Sequence, residues 1–176
     1  ETAKTKSKKL NLIAEYKILD MRRLSKEKEW AGAFDLVTNL FTSFGYFHNK
    51  IDHENVVKGF CSVLKPRGIL VLDYLNSNYS KTNMISEEII KKGEYTFNIK
   101  RRLFNNYFQK SISYLDKKGN KQTHIEQVKA WTSVELTELL LNFGFQVESI
   151  YGDYELGIHT HNSPRCILVA RKMDKS

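Results

Sequence analysis

Cysteine is scarce in this chain: Cys61 and Cys166 are the only two among 176 residues, far apart and without ligand-spaced partners. That argues against a disulfide framework and against a cysteine zinc site, and leaves two buried free thiols as the reading. No two of the nine glycines stand close enough to build a Gly-x-Gly turn. A glycine-rich loop that lets backbone approach a ligand closely is therefore not encoded. No apolar run nears the roughly 20 residues a bilayer span requires. The N-terminal Glu1-Thr-Ala-Lys-Thr-Lys-Ser-Lys-Lys-Leu lacks the apolar stretch of a secretory signal, so a cytoplasmic protein is expected. His159-x-His161 lacks the third ligand a metal site needs, and no metal is expected.

What remains is the composition of a folded domain. Hydrophobic residues make up 41% of the chain and aromatic ones 12%, enough for one core but at this length not two. The formal net charge of +8 is spread over the N-terminal helix, loops and hairpin faces, which suits a solvated surface better than a nucleic-acid footprint.

Periodicity divides the chain into two textures. Residues 3–12 read as the end of an amphipathic helix, and residues 15–19 alternate like a strand closed by Asp20. Residues 34–40 form a continuous apolar strand of the kind buried on both faces. Asp52 is placed to cap a helix carrying Val56, Val57, Phe60, Val63 and Leu64 on one side, stopped by Pro66 and Gly68. A second buried strand over 69–72 completes a βαβ unit. Between residues 81 and 130 the pattern becomes strict alternation with Lys117-Lys-Gly-Asn as a turn, predicting an inserted antiparallel sheet. Thr132-Ser-Val-Glu opens a capping-box helix through Leu141, and strands at 146–151 and 166–171 close the chain.

The order Phe34-Asp-Leu-Val-Thr-Asn-Leu-Phe, Thr42-Ser-Phe-Gly-Tyr-Phe, helix, then Lys65-Pro-Arg-Gly-Ile-Leu-Val-Leu-Asp-Tyr-Leu-Asn resembles the second half of a class I S-adenosylmethionine-dependent methyltransferase of the small-molecule branch. The resemblance implies an α/β, Rossmann-like sheet represented by its C-terminal portion, with the first two strands missing. One domain is expected over residues 1–176, with residues 81–130 as an inserted antiparallel β cover over a small-molecule substrate. S-adenosylmethionine is the implied cofactor.

The same resemblance assigns roles. Asp20 and Met21 stand where the family holds the adenine, a carboxylate accepting from the exocyclic amine beside an apolar neighbour. Asn39 and Leu40 end the strand nearest the transferring methyl. Ser43 and Phe47 fall on the substrate side, and Phe44, Tyr46 or Phe47 is suited to face a sulfonium by cation–π attraction. Tyr46 and Asn76 are the catalytic candidates, the latter from Asp73-Tyr-Leu-Asn76. Arg101 and Arg165 are candidates to grip a substrate carboxylate, with an Arg101–Glu126 cross-strand pair as the structural alternative.

Two readings from other classes compete: a basic β-rich RNA-binding module stacking bases on Tyr95, Phe97, Tyr107 and Phe108, and a methyltransferase-like scaffold without cofactor. Family members carry a first strand, a glycine-rich turn and a second strand upstream, in the sheet order 3-2-1-4-5-7-6. Without them the fragment is expected to be inactive or feeble alone. Strands at 15–19 and 34–40 would keep bare edges with unpaired amides, for which association through the sheet edges is a remedy. Light scattering at micromolar concentration is expected to show at least a homodimer, and a monomer at all concentrations would count against it.

Overall fold

The computed structural model of the chain describes residues 2–174. Helix α1 (Thr2–Lys9) is followed by an extended segment and two short 3-10 turns, then by strand β1 (Phe34–Asn39). Helix α2 (Lys50–Val63) leads into β2 (Leu64–Leu75), which runs parallel to β1 with Leu36 opposite Ile69 and Asn39 opposite Leu72. Helix α3 (Ser77–Asn83) then opens onto four antiparallel strands: β3 (Glu87–Lys92), β4 (Tyr95–Phe104), β5 (Tyr107–Leu115) and β6 (Lys121–Lys129). Helix α4 (Ser133–Asn142), β7 (Phe145–Tyr151) and β8 (Arg165–Lys172) complete the chain. The first sheet has the order β1-β2-β8-β7 and the second β3-β4-β5-β6.

Local chemistry explains most of these boundaries. Thr132 and Glu135 form the expected reciprocal capping box at the start of α4, and Gly144, at φ 86°, turns the chain into β7. The expected face of α2 is buried at Val56, Val57, Phe60 and Val63, the first three in one core with Leu70, Leu72 and Leu168 of the sheet, while Leu64, expected at the helix end, already begins β2. The cap of α2 is Asn49 and not Asp52. Asn49 is still extended, and its side chain accepts the Asp52 N–H at 2.7 Å, so Asp52 lies one turn inside the helix.

Two further expectations are corrected. Residues 15–19 form no strand; Ile18 and nearby Ile13 are fully exposed, because alternation permits a ladder but no neighbouring strand among the described residues supplies one. Strand β1 is not buried on both faces: Phe34, Leu36 and Leu40 are exposed, since β1 is the edge of its sheet. No helix among the described residues is long and apolar enough to cross a membrane.

The antiparallel sheet is tied to the carboxyl end of β2 and to the segment after β1 by two hydrogen bonds. Tyr74 Oη, from β2, donates to the Lys129 carbonyl at 2.7 Å, and Tyr107 Oη donates to the His48 carbonyl at 3.0 Å. Gly45 makes the approach possible. A Cβ there would stand 2.2 Å from Tyr74 Oη and 2.6 Å from Val128 Cγ1, so no larger residue fits between the turn and β6.

His53, fully buried in α2, packs edge-on against Phe44, Phe47 and Trp131. Its Nδ1 donates to the Asn49 carbonyl at 2.9 Å, and its Nε2 has no partner. Burial lowers its pKa from the ordinary 6.5; the Asn49 bond and Asp52 oppose this and Lys129 reinforces it. With the folded value below the unfolded one, stability is intact above pH 6.5 and declines as pH falls from there through the folded value. Urea midpoints of the wild type are expected to drop between pH 7.5 and 5.5 more than those of His53→Leu. Parallel pH profiles would refute the assignment.

Candidate functional site

The site grows from one carboxylate. Asp73, near the carboxyl end of β2, is 1% exposed, yet its oxygens are fully engaged. Oδ2 accepts the Phe41 N–H at 2.8 Å and the Tyr154 hydroxyl at 3.0 Å, while Oδ1 accepts Nε of Arg165 at 2.8 Å and Nη2 as well. Arg165 Nη2 also reaches Thr42 Oγ1 at 3.2 Å, and the Thr42 N–H donates to the Asp73 carbonyl at 3.1 Å. These bonds fasten β1's exit to β2 and β8.

The fastened exit is strained. Phe41 and Thr42 hold φ of 56° and 64°, a left-handed backbone that costs non-glycine residues on the order of 1–3 kcal/mol each. The turn that follows, Ser43–Tyr46, drops Phe44 into the core and leaves Tyr46 half exposed.

Beyond this turn lies a cavity of about 470 Å³, bounded by Tyr46, by Leu75 of β2, by Tyr79, Ser80 and Asn83 of α3, and by the inner face of the cover. Its apolar wall includes Met84, Ile85, Phe108 and Val128. Its polar wall is a row across three strands, with Arg101, Lys110 and Glu126 directly opposite one another. The expected Arg101–Glu126 pair is corrected by this register, which sets Lys110 between them. Arg101 Nη2 instead meets Glu88 at 2.8 Å, and Lys110 meets Glu126 at 3.3 Å. These half-exposed pairs contribute about 0–1 kcal/mol each, so the row is available to a ligand at little cost to the fold.

The residues singled out in the sequence separate into two groups. Tyr46 and Arg101 line the cavity. Asn39 is buried at the end of β1, with Nδ2 4.0 Å from Met21 Sδ, and Leu40 beside it is exposed. Ser43 Oγ donates to the Leu40 carbonyl at 2.7 Å. Asp20 caps a 3-10 turn and is held by Arg22, whose side-chain hydrogen bonds, more than the backbone one, lower the carboxyl pKa to about 2. Phe47 packs on His53 and under Arg22 and is not among the cavity residues. Arg165 is engaged by Asp73 and Thr42. Asn76 caps α3 with its oxygen and donates to the carbonyls of Thr160 and Ser163, both at 2.8 Å, so it holds the loop before β8 and does not face the cavity.

Sequence reasoning missed Tyr79, Glu88 and Lys110, and did not place Phe108 in this cavity. Hairpin register would have revealed Lys110, since counting outward from the β4–β5 turn puts it opposite Arg101. Tyr79 sits in α3, which no apolar periodicity announces.

No protein-family model and no curated protein matches the sequence. Solved structures do match. An S-adenosylmethionine-dependent methyltransferase from Clostridium acetobutylicum superposes with a TM-score of 0.80 at 15% identity, covering 98% of this chain and 70% of that one. The sugar N-methyltransferase KedS8 from Streptoalloteichus gives 0.65 at 16%, with coverage of 98% and 68%. The CcbJ methyltransferase from Streptomyces caelestis gives 0.66 at 13%, with coverage of 93% and 63%. The chain thus has the Rossmann-like fold of class I methyltransferases and spans roughly two thirds of the length of these structures.

Replacing Asp73 by Ala is expected to cost about 2–4 kcal/mol, because it strands a largely buried guanidinium and an amide. A double-mutant cycle with Arg165→Ala in urea melts should return a favourable coupling. Additive losses would show that the pair is not the hub.

Proposed function

We propose that this chain carries the acceptor side of an S-adenosylmethionine-dependent methyltransferase acting on a small molecule. The observation that carries this reading is the cavity between the strand carboxyl ends and the antiparallel cover, the position at which an open α/β sheet binds ligands. The matched folds support it, among them an amino pentose methyltransferase from Micromonospora echinaspora with S-adenosylmethionine bound, at a TM-score of 0.61 and 18% identity.

The residues present fit the cofactor in part. Met21, Asn39 and Leu40 lie on or beside the exit of β1, where they suit an adenosyl group, and Asp20 next to Met21 would serve its amine by giving up part of its pairing with Arg22. A glycine cradle for its methionine end is not in this sequence. When bound, S-adenosylmethionine supplies a methyl group activated by the positive sulfur.

The chain's own contribution is positioning. Methyl transfer needs the nucleophile held in line with the methyl, and effective concentration supplies much of the acceleration. Tyr46, on the turn locked by Asp73, orients the acceptor with its phenol; the Glu126 carboxylate on the facing wall accepts a proton from an acceptor that arrives protonated. Asn76 acts through the 160–163 loop as a positioning residue.

The RNA-binding alternative draws little from the cover. Tyr107 points to the other face of β5, and the cluster of Tyr95, Phe97 and Tyr114 lies at the opposite end of the β4–β5 ladder from Phe108, so the four rings form no continuous stacking platform.

Calorimetry on the protein is expected to show S-adenosylhomocysteine binding. Tyr46→Ala should leave that affinity within about twofold while lowering turnover of an identified acceptor by tenfold or more, on the scale of lost positioning. No binding to the wild-type protein would defeat the reading.

A further inference from the structure

Four charged side chains line the cavity, all of them on the antiparallel sheet, and their order works against that sheet. From β3 to β6 the row reads Glu88, Arg101, Lys110, Glu126, with an acid on each flank and two bases in the middle. Arg101 stands directly opposite Lys110 in the β4–β5 register, and Lys110 directly opposite Glu126 in the next. Like charges facing each other on neighbouring strands are destabilising, and exchanging Lys110 with Glu126 would give alternating signs across the row. Stability of the sheet therefore does not account for the central pair.

The pair is also under-used. An ammonium has three donors and a guanidinium five. Lys110 uses one, on Glu126 at 3.3 Å; Arg101 uses two, on Glu88 at 2.8 Å and on the Ile85 carbonyl at 3.3 Å. Among the described residues, Nε of Arg101 has no partner, and no further charged side chain lines the cavity. The four charges sum to zero. A singly charged ligand would leave an uncompensated charge beside apolar surface, whereas a zwitterion meets the bases with its anionic end and an acid with its cationic end, and the sum stays at zero.

The direction of such a ligand follows from Tyr46. Tyr46 and Glu126 line this cavity and also share an adjoining hollow with His48 and His124, so they mark one end of the row. The cationic group belongs at that end, with the anionic group one to two strands away, roughly 5–10 Å at ordinary strand spacing. A carboxylate suits the central pair because it offers one oxygen to each base and carries a single charge. Arg165, engaged by Asp73, takes no part.

We infer that the cavity takes a zwitterion: a small apolar body with an amino group seated by Glu126 beside Tyr46 and a carboxylate held jointly by Arg101 and Lys110. Its role as the methyl acceptor rests on the methyltransferase reading above; the recognition of its two charges does not.

The test is calorimetry at neutral pH with three matched compounds: 4-(aminomethyl)benzoate, which has both charges, 4-ethylbenzoate, which has only the carboxylate, and 4-methylbenzylamine, which has only the amine. The zwitterion is expected to bind about tenfold tighter than either of the others, on the scale of one charge-assisted contact. Lys110→Met should weaken the zwitterion and 4-ethylbenzoate by about threefold to tenfold without weakening 4-methylbenzylamine, and Glu126→Gln should weaken the zwitterion and 4-methylbenzylamine without weakening 4-ethylbenzoate. Lys110→Arg keeps the charge and should keep the preference. Because these pairs are half-exposed, both charge-removing variants should melt close to the wild type, which separates recognition from folding. Equal affinities, a preference for a singly charged compound, no binding of the zwitterion, or a preference that survives both Lys110→Met and Glu126→Gln overturns the inference. S-adenosylhomocysteine titrated into the same protein keeps the two readings apart: its failure to bind defeats the methyltransferase reading while the zwitterion site is judged on its own compounds, and failure of the zwitterion with S-adenosylhomocysteine bound defeats this inference alone.

Discussion

A buried carboxylate with no water to solvate it must find donors, and Asp73 recruits them from three separate parts of the chain: the exit of β1, the loop after β7 and the start of β8. The cost of burying that charge is offset only while all of these donors stay in place. The requirement therefore acts as a clamp. It forces Phe41 and Thr42 into left-handed backbone and aims the following turn, so that Gly45 meets Tyr74 and Val128 and the cover can settle on the sheet. The cavity is a consequence of this sequence of contacts.

The clamp also shows how candidate residues are tied into the fold's own contacts. A polar side chain at a strand end can face a ligand or hold its neighbours, and here Arg165 and Asn76 are engaged in holding. The polar surface left for a ligand comes from the cover, whose four charges pair weakly at the cavity edge. Tight, buried pairing at the strand ends fixes geometry, and loose, half-exposed pairing on the cover can yield to an incoming molecule.

Much of the fold was legible in the sequence because its signals are local. The capping box at Thr132, the buried face of α2 and the alternation from β3 to β6 each depend on residues a few positions apart. The failures involve choices that local pattern leaves open. Asn49 and Asp52 are both competent caps three residues apart, and only the backbone at Asn49 decides between them. Residues 15–19 alternate as a strand would, but a strand is a relation between two segments. The partners of Arg101 follow from register, which hairpin length sets and alternation does not. The strain at Phe41 had no sequence signal, since it is imposed by an aspartate 32 positions away.

The two sides of the β1 exit are unequally prepared. On the side of the cavity, Tyr46 is held by the clamp, the antiparallel sheet is docked through Tyr74 and Tyr107, and the cavity has walls. On the other side β1 is an edge strand with Phe34 and Leu36 exposed, and the extended segment before Asp20 makes no ladder. Preorganisation reduces the entropy that binding must otherwise supply. The cavity side is therefore ordered by contacts within this chain, whereas the free edge of β1 has no such contacts among the described residues. The Asp73 clamp lies at the boundary between them, which is why a single carboxylate can set the geometry of both.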